Sequence, residues 1–228
     1  MAKQNKEKAY KEAELIEMYS LNRLTGNGEH PLMEEWTNTM TTLNAGEQYI
    51  FDLITENLGG QIMGWNEEML KMNFIAFVLK LGYLSETKHY KTYYESMIEA
   101  TVGQYFLKVK ADMMIAKGIL ETPKTPYFYF QEYTPRFPPI RGEVGGKDPK
   151  GDVVGQLLEA FLIAQEKNKN DKPLYGCTVY GREWEFYVIE GKNYCISKVY
   201  NCTNDGDLLQ IIAILRKFKE ILETRLLD

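Results

Sequence analysis

The chain has 228 residues, 44% of them hydrophobic and 26% charged, which is ordinary for a globular fold and enough for one large domain or a core with an appended helical region. A net charge of -5 does not advertise a nucleic-acid binder, nor does it exclude one, because a metal-binding acid cluster subtracts from that total and basic residues can gather locally. No apolar run approaches the roughly 20 residues that span a bilayer, and the charged opening MAKQNKEKAYKEAE lacks the apolar stretch of a signal peptide, so a cytoplasmic protein with no membrane partner is expected.

Residues 4–20, rich in Lys, Glu and Ala, predict a helix, and residues 45–58 (AGEQYIFDLITENL) carry apolar positions at helical spacing up to a stop at Gly59-Gly60. A third helix is predicted over NEEMLKMNFIAFVLKLG, with Asn66 as N-cap and Gly82 as stop. The tyrosine-rich stretch 83–100 has no clean period. From residue 101 the pattern turns to strands. TVGQYFLKVKADMMIAKG reads as two strands meeting near Lys108–Lys110, and TPYFYFQEY as a third. A Gly- and Pro-rich loop over 135–152 precedes the amphipathic helix VVGQLLEAFLIAQEKN. Next, PLYGCTVYGREWEFYVIEGKNYCISKVY divides into three short strands at Gly181-Arg182 and Gly191-Lys192. In it Trp184, Phe186 and Val188 alternate toward a core, with Tyr187 on the other face. The helix DLLQIIAILRKFKEILETRL follows. The expected architecture is an α/β sandwich rather than a repeat or bundle, with residues 1–60 as a helical region packed on or extending a core of residues 61–228.

Several chemistries drop out. His30 and His89 lie far apart in sequence, which argues against a histidine-built metal site and against Cys–His or Ser–His–Asp nucleophiles. RGEVGGKD fails as a phosphate-binding loop, because Arg141 occupies the first glycine position and Asp148 stands where Ser or Thr is required. Cys177, Cys195 and Cys202 form no C-x-x-C pair and read as reduced core residues.

Carboxylates at strand ends remain. Asp112 interrupts the apolar strand ADMMIAKG, and Glu132 closes the aromatic strand of YFYFQEYTPR. Burying a charge is costly, so an acid at the mouth of a buried strand is held for a reason. Two such acids on adjacent strands can hold Mg²⁺ or Mn²⁺ through hard oxygen ligands and so serve phosphodiester hydrolysis. Strand alternation puts Glu132 and Thr134 on one face, with Gln131 and Tyr133 on the other.

An acid, a hairpin and then E-x-K, framed by helices, is the pattern of the PD-(D/E)XK nuclease superfamily. The chain resembles it over roughly residues 60 to 225, through Asp112 and Glu132-Tyr133-Thr134. WNEEMLKMNFI is similar to the acid-bearing first helix, and GQLLEAFLIAQEKN to the helix after the motif, with Gln156 in the place of a polar active-site residue. The strands and long helix beyond it are similar to the tail of restriction-endonuclease-like proteins. The resemblance implies a restriction-endonuclease-like α/β fold, a mixed central sheet flanked by helices, and a Mg²⁺-dependent nuclease (Mn²⁺ as substitute) acting on DNA, compatible with a homo-oligomer. It makes Asp112, Glu132 and Glu68 metal ligands, with Gln156 assisting. Where the family has a lysine that activates water, this chain has Thr134. Lys71, on the core-facing side of its helix and one turn from Glu67 and Glu68, is the first replacement, ahead of Lys110 and Arg136, and a snorkelling lysine is the plain alternative. The helical wheel does not choose between Glu67 and Glu68. Glu68 is slightly favoured, and the helix dipole by itself accounts for acids in a first turn. Arg136, Arg141, Lys147 and Lys150, with Lys108 and Lys110, make the expected phosphate-facing surface. A nuclease-like fold that has lost catalysis and binds nucleic acid or protein is the other reading, supported by Thr134 and the net acidity.

Overall fold

The structure, a computed structural model, describes residues 10–58, 62–84, 86–134 and 152–227. Its strands are β1 (Asn22–Thr25), β2 (Lys91–Val102), β3 (Tyr105–Ile119), β4 (Thr122–Thr134), β5 (Leu174–Tyr180), β6 (Glu183–Glu190), β7 (Asn193–Ile196) and β8 (Tyr200–Asn201). They form one eight-stranded sheet in the order β1-β7-β6-β5-β4-β3-β2, with β8 paired to β6. β1–β7 and β4–β5 are parallel and the remaining pairs antiparallel.

Helices cover both faces of this mixed sheet. They are α1 (Glu12–Tyr19), α2 (Pro31–Thr37), α3 (Ala45–Leu58), α4 (Glu67–Leu70), α5 (Ala76–Leu81), α6 (Val153–Asn168) and α7 (Asp207–Ile221). A π-helical stretch, Lys71–Ile75, joins α4 to α5, and the backbone at both junctions stays right-handed helical, so the three pieces run as one rod. The core-facing stripe Leu70, Phe74, Ile75, Val78 is why that rod lies on the sheet. Asn66 caps it as the sequence predicts, its side chain accepting the Met69 N–H at 2.9 Å. One apolar layer packs α6 and α1 on Leu107, Val109, Met114 and Phe130. The other packs α2, α4, α5 and α7 on Met113, Ile115, Tyr129, Trp184 and Phe186. α6 reaches the sheet so closely that a Cβ on Gly176 of β5 would stand 2.7 Å from the Phe161 ring, which is why only glycine fits there.

Three expectations change. Of the segment expected to hold two strands meeting at Lys108–Lys110, residues 105–118 lie in a single strand, β3, and Thr101 and Val102 end β2. The turn comes earlier, at Gly103, whose φ of +60° suits a tight hairpin. Lys108 and Lys110 are simply the outward positions between the buried Leu107, Val109 and Ala111. The unplaced stretch 83–100 supplies most of β2. Residues 1–60 are not purely helical, since β1 adds an edge to the sheet and α2 places Trp36 in the core against Tyr175, Phe186 and Phe218. The first predicted helix occupies Glu12–Tyr19 of the described residues. Gly59-Gly60 and the loop residues Arg136, Arg141, Lys147 and Lys150 lie outside them. Trp184, Phe186 and Val188 are wholly buried, and so are the free thiols of Cys177 and Cys195, with Cys202 nearly so. No helix among the described residues is long and apolar enough to cross a membrane.

Candidate metal centre

Asp112 sits where the regularity of the sheet breaks on both sides. Against β2, the register runs Tyr94↔Met113 and then Ser96↔Ala111, so the step that would join Glu95 to Asp112 is skipped. Glu95 there adopts φ +50°, a left-handed conformation that costs a non-glycine residue about 1 kcal/mol or more. Against β4, the register runs through Met114↔Phe130 to Met113↔Gln131 and stops one step short of pairing Asp112 with Glu132. The Asp112 carboxylate instead accepts the Tyr133 N–H at 2.8 Å. A side chain thus replaces a ladder bond and fixes the acid between three strands.

The α4 rod brings the rest. Glu67, Glu95 and Asp112 each offer a carboxylate oxygen, and these oxygens lie within 4.8 Å of one another. Lys71, at the start of the π-helical stretch, holds its ammonium among them. Its Nζ stands 2.7 Å from Glu95 Oε1, 2.8 Å from Glu67 Oε1 and 3.8 Å from Asp112 Oδ1. The Tyr133 ring lies 5.7 Å from the same nitrogen. On the outer side Lys110 Nζ pairs with Glu95 Oε2 at 2.6 Å. Burial pulls the Lys71 pKa down, but the hydrogen bonds to Glu67 and Glu95 and the charge of Asp112 reverse that and drive it well above its ordinary value. Glu95 shows the counterpart: burial raises it, while Lys110 and Lys71 together bring it down to about 2. The cluster therefore brings together three carboxylates and two lysine ammonium groups.

The residues expected from the sequence divide. Asp112 and Lys71 come together. Glu68, though next to Glu67, points into solvent and takes no part. Glu132 is fully buried one residue from Tyr133, level with Thr178 of β5, and belongs to no three-acid group among the described residues. Gln156 is half-buried in the first turn of α6, with no side-chain hydrogen bond to the cluster. Thr134 is the last residue of β4, paired in register with Tyr180. Glu67 and Glu95 are the two members that sequence reading did not select. The signal for Glu67 was present: it precedes Lys71 by four residues, the favourable order for a helical ion pair, on the stripe that continues to Phe74 and Val78. Glu95 carried none, because its left-handed backbone breaks the alternation that would have revealed β2.

Three converging carboxylates present the hard oxygen ligands that Mg²⁺ or Mn²⁺ prefers, so the donor set fits a divalent cation. The flanking Lys110, half-exposed, adds a positive group at the rim. Neither protein-family models, nor curated proteins, nor solved structures give a match to this chain.

Proposed function

We propose that the chain is a divalent-metal-dependent nuclease that hydrolyses DNA phosphodiesters, built on a restriction-endonuclease-like, PD-(D/E)XK-type core. The order of elements supports this reading: an acid-bearing helical rod (α4 to α5), an antiparallel meander (β2, β3, β4), a crossover helix (α6), and a strand (β5) parallel to the last of the meander. The observation that carries it is the convergence of Glu67, Glu95 and Asp112 at the break in the sheet.

In this reading Glu67, Glu95 and Asp112 would hold Mg²⁺ (Mn²⁺ as substitute), while Glu132, the motif acid of the resemblance, is buried on the face of β4 opposite the Tyr133 ring that meets Lys71. Such an ion, when bound, would supply an acidic water and neutralise charge on the phosphate. Asp112 is held in place by the Tyr133 N–H, and the helix rod sets Glu67. Lys110, with Lys108 two residues before it on β3, lies at the rim and would face the phosphate backbone. Lys71 supplies the positive charge that Thr134 cannot. The ammonium of a lysine stabilises negative charge developing on the phosphate, which a hydroxyl does far less well. A cytoplasmic, membrane-free location with DNA as partner belongs to the same proposal.

A second reading has its own support. Lys71 already ion-pairs with Glu67 and Glu95, and Thr134 stands where a catalytic lysine is expected. The fold would then be a lapsed nuclease that binds nucleic acid or protein. Titration with Mn²⁺ and plasmid nicking, on the wild type and on Asp112→Asn, separate the two. Metal binding and nicking that both vanish in the variant support the enzyme; no binding by the wild type supports the module.

A further inference from the structure

The ammonium of Lys71 lies where the three carboxylates would otherwise meet a metal ion. Its nitrogen is within hydrogen-bond distance of Glu67 and Glu95 and 3.8 Å from Asp112. A divalent ion coordinated by the same oxygens would share that small space with a positive charge. At such a separation two like charges repel strongly in a partly desolvated site. The lysine side chain, by contrast, is long and jointed, so rotation about its several bonds can carry the ammonium away. Lys110 can stay with Glu95 Oε2 on the outer side, because it uses the other oxygen of that carboxylate.

We propose that Lys71 is the resident cation of this site, and that a divalent metal enters by displacing its ammonium, so that metal loading and release of Lys71 are a single exchange. The inference rests on the metal-site reading above and says how that site is regulated. The lysine keeps the three acids mutually tolerable before the metal arrives. Once displaced, it leaves a free ammonium beside the centre, where a substrate phosphate would lie. Metal binding would thereby arm the positive group that the motif itself lacks, and the metal-free protein would hold its acids quiescent. The affinity for metal is correspondingly lowered by the work of moving the lysine.

The test uses the full chain. Mn²⁺ affinity is measured for the wild type, for Lys71→Met and for Lys71→Gln, the last keeping a hydrogen-bond donor without charge in case the apolar variant folds poorly. Far-ultraviolet circular dichroism checks each fold. In parallel, acylation of Lys71 by an amine-reactive reagent is followed by peptide mass spectrometry with and without Mg²⁺. The expected results are affinity tighter by on the order of tenfold to a hundredfold in both variants, and Lys71 protected without metal but reactive with it. If the variants bind Mn²⁺ no more tightly than the wild type, or if Lys71 reactivity ignores Mg²⁺, the exchange is wrong while the metal site stands. If neither the wild type nor the variants bind Mn²⁺, the metal-site reading fails and the exchange falls with it.

Discussion

The Asp112 carboxylate accepts the Tyr133 backbone N–H at 2.8 Å, at the step where the β3–β4 ladder ends. One group therefore does two jobs, tying two strands together and facing Lys71 across the cluster. Removing it leaves a buried N–H without an acceptor, which costs about 1–3 kcal/mol. Asp112→Ala should lower the unfolding free energy by that amount. Asp112→Asn, which keeps an oxygen for the Tyr133 N–H, should lose much less stability yet lose the charge. Urea unfolding of both variants checks this, and equal loss in the two would remove the ladder role.

Glu67 and Glu68 are adjacent, yet only Glu67 lies on the stripe that faces the sheet. Glu67→Gln should weaken Mn²⁺ binding about tenfold or more, as expected when one of three carboxylate ligands is lost. Glu68→Gln should leave affinity unchanged within error. Isothermal titration of the two variants makes the comparison, and a larger effect at Glu68 would contradict the geometry.

Two acids give opposite pH signatures. Glu159 of α6 is buried among apolar side chains, and burial raises its pKa to about 7 against an ordinary 4.5, although the Lys108 N–H it accepts at 3.1 Å lowers it. The Glu159 carboxylate is in turn among the groups that raise the Tyr19 phenol. A raised carboxyl pKa means the fold prefers the protonated form. Its contribution is present below about 4.5 and is lost as pH rises through 7, by at most about 3 kcal/mol. Glu159→Gln should therefore stabilise the protein above pH 7 and flatten the profile between those values. Glu95 works the other way. Held at about 2 by Lys110 and Lys71, it contributes above its ordinary 4.5 and loses that contribution as the pH falls toward 2. Thermal melts over this range for the wild type and Glu159→Gln show whether the two signs hold.

Much of this was legible in the sequence. The helices over 45–58 and 153–168 and the breaks at Gly181 and Gly191 match the structure, because apolar period and turn chemistry act locally. Asp112 and Lys71 were singled out from their neighbours alone, an acid in an apolar strand and a lysine on a core-facing stripe. What failed to show was tertiary. β1 is a four-residue edge strand held by a partner about 170 residues away. Glu95 reaches the cluster only because its backbone turns left-handed, a choice that the fold imposes and no local pattern announces.

Trp36 ties the first part of the chain to the rest. Its indole N–H donates to the Ile214 carbonyl at 2.9 Å, and its ring meets three aromatic residues edge-on or tilted. Trp36→Ala should cost about 3–5 kcal/mol, the range for emptying a large buried site. A chain lacking residues 1–60 would lose this anchor and the β1 edge together. It should fail to give a cooperative melt, and a well-folded 61–228 fragment would refute that.

The central claim is that Glu67, Glu95 and Asp112 form a metal centre for phosphodiester hydrolysis. Nicking of supercoiled plasmid DNA by the wild type and by folded Asp112→Asn, with Mg²⁺, with Mn²⁺ and with a chelator, tests it most directly. The predicted result is metal-dependent nicking by the wild type that the chelator abolishes and Asp112→Asn loses by on the order of a hundredfold or more. Equal nicking by the two proteins, or none by a wild type saturated with metal, would contradict it.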